Sequence, residues 1–154
     1  MERKASFMEL AHEQAKDAAS RGEVPVGAVL VKDGRVISCD GNRTLELSDP
    51  TAHAEVLVIR AGAKLARSER LVGHDLYVTL EPCTLCAAAI SFARIRRLYF
   101  GAGDPKSGAV ENGVRFFDSP NCHHAPEIYS GIMETETSGL LRSFFKQKRE
   151  PSRS

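Results

Sequence analysis

Leu76-Tyr77-Val78-Thr79-Leu80-Glu81-Pro82-Cys83-Thr84-Leu85-Cys86 changes its structural grammar part-way along. Residues 76–80 are apolar or β-favouring and predict a buried strand. Glu81-Pro82 then predicts the opening of a short helix running to about Ala93, with Pro82 at its first position and Cys83 in its first turn. A strand feeding directly into a helix is half of an α/β unit, and Leu98-Tyr99-Phe100 supplies the next strand.

The same alternation extends in both directions. Upstream, Val26–Val31 is a short apolar run suited to a strand. Lys32-Asp33-Gly34-Arg35 is a hairpin turn, and Val36–Cys39 returns. Residues 2–21 predict an amphipathic helix, with Phe7, Ala11, Ala15 and Ala18 on one stripe. After a polar loop over 40–50, Asp49-Pro50 predicts a helix start, continued by Val56, Ile59, Ala63 and Ala66. Residues 101–122 read as irregular, Ile128-Tyr129 as a last short strand, and Leu140, Leu141, Phe144 and Phe145 as a C-terminal amphipathic helix. A hairpin followed by strand–helix alternation predicts a three-layer α/β/α sandwich around a mixed sheet of about five strands. One domain is expected over 1–154, with 146–154 a fraying basic tail.

Composition narrows the function classes. The chain has 154 residues, 42% of them hydrophobic and 27% charged, with net charge +1. Such a chain is globular, and a near-neutral total makes any nucleic-acid site a local patch. No apolar run has the length of a membrane span. Met1-Glu2-Arg3-Lys4 leads into a polar segment, so a cytoplasmic location is expected. In a reducing compartment two closely spaced cysteines read as metal ligands. Cys39 and Cys122 lack such spacing and read as free thiols.

His53-Ala54-Glu55 and Pro82-Cys83-Thr84-Leu85-Cys86 carry the chemistry. Cysteines three apart share a helix face, and a helix N-terminus favours thiolate over thiol. Two thiolates and one imidazole suit zinc, and three protein ligands leave a position for water. Zinc lowers the pKa of bound water towards roughly 7. Glu55, two residues beyond His53, is placed to take that proton and pass it to a leaving amine. On its own a C-x-x-C also fits a structural zinc knuckle or a redox pair, and His123-His124 offers a further candidate ligand.

The two motifs resemble the cytidine deaminase superfamily, whose zinc enzymes carry H-x-E and P-C-x-x-C. Glu23–Val29, Gly41-Asn42-Arg43, Asp49–Glu55, Tyr77–Cys83 and Phe144-Phe145 resemble, more narrowly, its bacterial tRNA adenosine deaminase branch, over residues 7–149. The resemblance implies a cytidine deaminase-like fold and one Zn2+ per subunit, held by His53, Cys83 and Cys86, with Glu55 as proton carrier. It implies hydrolytic deamination of adenosine to inosine at wobble position 34 of a tRNA anticodon. Asn42 would hydrogen-bond the flipped nucleoside, and Val26, Ala54 and Pro82 would line its pocket. Asp104 and Lys106 would meet the neighbouring RNA backbone. Phe145 and the basic residues of the last helix would approach the anticodon stem-loop, and a homodimer would complete the RNA groove. Gly103 and the 110–117 stretch depart from the branch's usual pattern. Two other readings stand beside this one: a deaminase of a free base or nucleoside such as guanine or cytidine, and a non-enzymatic zinc module that binds RNA or protein.

Overall fold

The computed structural model describes residues 4–149. Helix α1 (Lys4–Ser20) leads into β1 (Gly27–Lys32) and β2 (Arg35–Gly41). There follow α2 (Ala54–Ala66), β3 (His74–Leu80), α3 (Thr84–Ala93) and β4 (Arg97–Ala102). A 3-10 turn (Phe116–Asp118), β5 (Glu127–Tyr129) and α4 (Glu134–Arg149) complete the order. The strands form one sheet in the order β2-β1-β3-β4-β5. β1 is antiparallel to both of its neighbours, whereas β3, β4 and β5 run parallel. This is the expected mixed five-stranded α/β sheet. The hairpin forms where Asp33-Gly34 predicted it: both residues have positive φ, which matches the strand twist.

Period-two alternation sorts the side chains into two cores. Ala28, Leu30, Leu76, Val78, Leu98 and Phe100 face α2 and α3, which contribute Ala54, Val58, Ile90 and Ala93. Val29, Val31, Tyr77 and Tyr99 face the other way and bury Phe7, Met8 and Ala11 of α1. Tyr77, Tyr99 and Tyr129 are register partners on three adjacent strands, and their rings stack at 4.3 and 4.9 Å between centroids. Gly27 lets α1 lie directly on β1, since a Cβ there would stand 2.0 Å from the Ala11 carbonyl oxygen.

Three boundaries differ from expectation. Helix α2 starts at Ala54 and not at Asp49-Pro50. Asp49 Oδ1 accepts both the N–H and the hydroxyl of Thr51, and the Asp49 carbonyl accepts Ala52 N–H. That closes a turn, so helical geometry begins only after His53. Helix α3 starts at Thr84, with Cys83 as its N-cap and not in its first turn. The Pro82 carbonyl accepts Ala109 N–H and Cys83 bridges Gly108, which keeps residues 82–83 extended. At the C-terminus Lys146–Arg149 continue α4, while the rest of the expected tail, 150–154, lies outside the described residues. Among the described residues no helix is long and apolar enough to cross a membrane.

Candidate active site

Strand β3 and the N-termini of α2 and α3 meet at one end of the sheet. His53 is the N-cap of α2 and Cys83 the N-cap of α3, and neither makes a side-chain capping bond. An N-cap side chain ordinarily turns back to bond its own helix. Here Asn42 replaces that bond at α2: its Oδ1 accepts Ala54 N–H at 2.8 Å. The imidazole and the thiol are thereby free to face each other. His53 Nδ1 lies 3.5 Å from Cys83 Sγ and 3.3 Å from Cys86 Sγ. The three donor atoms lie within 4.8 Å of one another and could hold a metal ion. Two sulfurs and one imidazole are the donor set that zinc prefers, and one coordination position is left for water.

Electrostatics match that donor set. The hydrogen bond from the Cys86 thiol, followed by the bond to His53, brings the Cys83 thiol down to about 4 against the opposing effect of burial. The same thiol–thiolate bond, together with burial, pushes Cys86 up. His53 is raised, chiefly by its bond to Cys83. Cys86 therefore holds a proton that a divalent metal would displace.

Glu55 lies one residue into α2 and is 4% exposed. Burial pushes its carboxyl up to about 7. A carboxyl poised near neutrality both takes and gives protons. It lines a cavity of about 240 Å³ together with Val26, Asn42, His53, Cys83 and Asp104. Ala54 and Pro82 are buried and are not part of that lining. The cavity opens onto a groove of about 650 Å³, with Val24, Leu80, Asp104 and Ser107 common to both. Lys106, Arg142, Phe145 and Arg149 line the groove alone. Phe145 is 41% exposed and Phe144 is buried, so only Phe144 of that pair belongs to the core.

His123-His124 is not part of the metal cluster. The His124 ring bonds the Ile95 carbonyl at 2.7 Å, and the His124 backbone N–H donates to Ser91 Oγ. Cys39 and Cys122 are free thiols.

Two acidic residues have structural roles beyond the sequence reading. Glu23 is 1% exposed and accepts the N–H groups of Leu45 and Glu46 and the Thr44 hydroxyl. Burial pushes its carboxyl up, but those bonds outweigh burial and hold it below the usual range. It pins the loop that carries Asn42. Glu81 does the same for the loop after β4, where amide groups of Asp104, Val110 and Glu111 and the side chain of Asn112 outweigh burial. Both partners are distant in sequence; a buried acid beside a Pro or an apolar run was the only signal available for either.

Comparison with known proteins places these features. Residues 1–102 match the family described as cytidine and deoxycytidylate deaminase zinc-binding region. A tRNA-specific adenosine deaminase of Agrobacterium fabrum (strain C58 / ATCC 33970) is 64% identical over 149 residues, covering 97% of this chain and 98% of its own. A tRNA-specific adenosine deaminase of Bacillus subtilis (strain 168) is 40% identical, covering 94% of this chain and 89% of its own. A solved structure from work on A-to-I editing by tRNA:A34 deaminases at the wobble position superposes with TM-score 0.89. It is 65% identical and covers 90% of this chain and 100% of its own. Guanine deaminase from Nitrosomonas europaea shares the fold at TM-score 0.81 with 17% identity, covering 94% of this chain and 85% of its own.

Proposed function

The chain belongs to the cytidine and deoxycytidylate deaminase zinc-binding family, and on that premise we propose that it is the hydrolase that converts adenosine to inosine at wobble position 34 of a tRNA anticodon. The observation that carries this reading is the cavity of Glu55, His53 and Cys83 opening onto a groove lined by Lys106, Arg142, Phe145 and Arg149. Similarity along nearly the whole chain to a tRNA-specific adenosine deaminase supports it.

His53, Cys83 and Cys86 hold the zinc. When bound, zinc supplies the Lewis acidity that makes hydroxide available at neutral pH. Glu55 moves the protons. As oxygen adds to C6, the proton lost by water passes through the Glu55 carboxylate to N1 of the purine. The remaining hydroxyl proton then passes through the same carboxylate to the 6-amino group, which leaves as ammonia while C6 becomes a carbonyl. Asn42 and Val26 orient the extruded nucleoside, with Ala54 and Pro82 supporting the pocket from within. Asp104 and Lys106 meet the adjacent RNA backbone. The cationic residues of α4 meet phosphates of the anticodon stem-loop, and Phe145 offers a stacking face. Glu134 and Glu136 at the start of α4 and Lys146, Lys148 and Arg149 at its end also complement the helix dipole. Arg142 and Arg149, which line the groove, are what favours RNA. The protein acts in the cytoplasm as a homodimer; exposed Leu85 and Phe92, seven apart on α3, give an apolar face for pairing.

The test is to incubate the protein with a panel of transcribed tRNAs, free guanine, cytidine and adenosine, and to measure ammonia and inosine. Ammonia release matched by inosine formed within a tRNA that carries adenosine at position 34 is expected. Turnover of guanine or cytidine with no action on any tRNA would overturn the reading.

Asn42 separates into two roles on substitution. Its Oδ1 is engaged by Ala54, so it offers the nucleoside chiefly its N–H donors. Asn42→Ala is expected to lower stability by about 1 kcal/mol through the lost cap and to raise KM. Asn42→Asp keeps the acceptor for Ala54, so Tm should stay near wild type while KM still rises. A normal KM in Asn42→Asp would leave Asn42 with the cap alone.

A further inference from the structure

We infer that Glu81 is a positioning residue: it holds the 103–112 loop against the Cys83 segment and so sets the width of the substrate pocket. The inference rests on the deaminase reading above. Glu81 is 2% exposed and lies outside the His53–Cys83–Cys86 cluster. Its Oε2 accepts three backbone N–H groups, from Val110 at 3.0 Å, Glu111 at 2.8 Å and Asn112 at 3.0 Å. Its Oε1 accepts Asp104 N–H at 2.9 Å and Asn112 Nδ2 at 2.7 Å. Five donors converging on one buried carboxylate form an anion cradle built from a single loop.

The loop is seated on the carboxylate itself. A Cβ on Gly108 would stand 2.4 Å from Glu81 Cδ, so only glycine permits this approach. Beside it, Ala109 N–H bonds the Pro82 carbonyl at 2.9 Å and Gly108 bridges Cys83. A buried ion of purely structural use would tie together segments remote from substrate. Glu81 does not: Asp104, which it binds, lines the substrate cavity, and so do Glu81 itself, Cys83 two residues on and Ser107 in the loop it holds. Any displacement of the loop relative to β3 therefore changes the separation of the pocket walls. A misplacement near 1 Å costs a site roughly a hundredfold in efficiency.

Glu81→Gln distinguishes the donors. Its carbonyl oxygen best serves the three N–H groups of Val110, Glu111 and Asn112, which turns its NH2 towards Asp104 N–H. The Asn112 amide can rotate to accept that NH2; the Asp104 N–H cannot, and is orphaned. The loss is thus concentrated on a residue of the pocket wall.

The experiment measures zinc content, steady-state kinetics on an A34 tRNA, and amide hydrogen exchange, for wild type, Glu81→Gln and Asn112→Ala. Glu81→Gln is expected to keep one zinc per chain, as three intact ligands require. It is expected to raise KM by about tenfold or more with kcat within about threefold, and to speed exchange at Asp104 while α3 stays protected. Asn112→Ala, which leaves the carboxylate in place and removes one donor, should show the same split at smaller size. Wild-type KM in Glu81→Gln overturns the inference. So does a loss confined to kcat and zinc, or a failure of both variants to fold, which would make the role structural. If the wild type fails to act on tRNA, the functional reading falls, and exchange at Asp104 still decides whether Glu81 holds the loop.

Discussion

Replacing Glu55 with alanine should leave one zinc per chain in place and lower turnover on tRNA by about a hundredfold to ten-thousandfold. The side chain is buried beside the metal-ligand atoms and is not one of the three. Its absence therefore removes a proton path without removing a ligand. Both proton transfers of the proposed reaction use this carboxylate, so no partial route survives within the cavity. Burial, which pushes its carboxyl up to about 7, is also a cost to the fold that alanine relieves, so destabilisation is not expected to mimic the effect. Glu55→Gln preserves volume and removes the exchangeable carboxyl proton, and should fall in the same range. Elemental analysis and single-turnover rates on one preparation test the claim. Zinc loss would make Glu55 a ligand, and near-normal turnover would end its assignment as proton carrier.

Cys86→Ala is expected to fall from about one zinc per chain to nearly none and to lose activity with it, because a site reduced to one thiolate and one imidazole no longer satisfies zinc. Cys86 is fully buried and 3.3 Å from His53 Nδ1, so its loss removes a donor from within the cluster itself. The substitution also releases Cys83 from the thiol bond that lowers its pKa most, which weakens the remaining thiolate before metal arrives. Cys86→Ser fills the same volume with a poor zinc ligand and separates metal loss from cavity formation. Metal content after dialysis, read beside circular dichroism, is the measurement. A folded variant with full zinc would break the assignment of all three ligands.

Much of the architecture was legible because it depends on local periodicity. Phe7, Ala11, Ala15 and Ala18 recur at helical spacing and all four are buried in α1. The alternation in Val26–Val31 and Leu76–Leu80 places successive side chains on opposite faces, and the two cores divide them accordingly. The spacing of His53 to Glu55 and of Cys83 to Cys86 is equally local, so the donor types for a zinc site were present in two short motifs.

The helix starts were less legible. Asp49-Pro50 and Glu81-Pro82 are sound local starts, yet both helices begin later, α2 because Asp49 closes a turn on Thr51 and Ala52 and α3 because a distant segment holds Pro82 extended. Asn42 reaches Ala54 across twelve residues, and Ala109 reaches Pro82 from beyond β4. Phe144 and Phe145 look alike as neighbours in an apolar stretch; only the docking of α4 decides that one is core and the other groove.

By itself, then, the sequence determined the strand and helix alternation, the α/β class and the two short motifs that supply the candidate metal donors. Each of these follows from interactions between residues a few positions apart, whose geometry the backbone period sets. The tertiary structure alone decided that His53 and Cys83 become N-caps with free side chains, that the cavity opens onto a basic groove, and that Glu23 and Glu81 anchor its two rims. Those features are long-range satisfaction of buried polar groups. A carboxylate such as Glu81 must find donors when the chain collapses, and its donors are 23 to 31 residues away, where no local pattern records them.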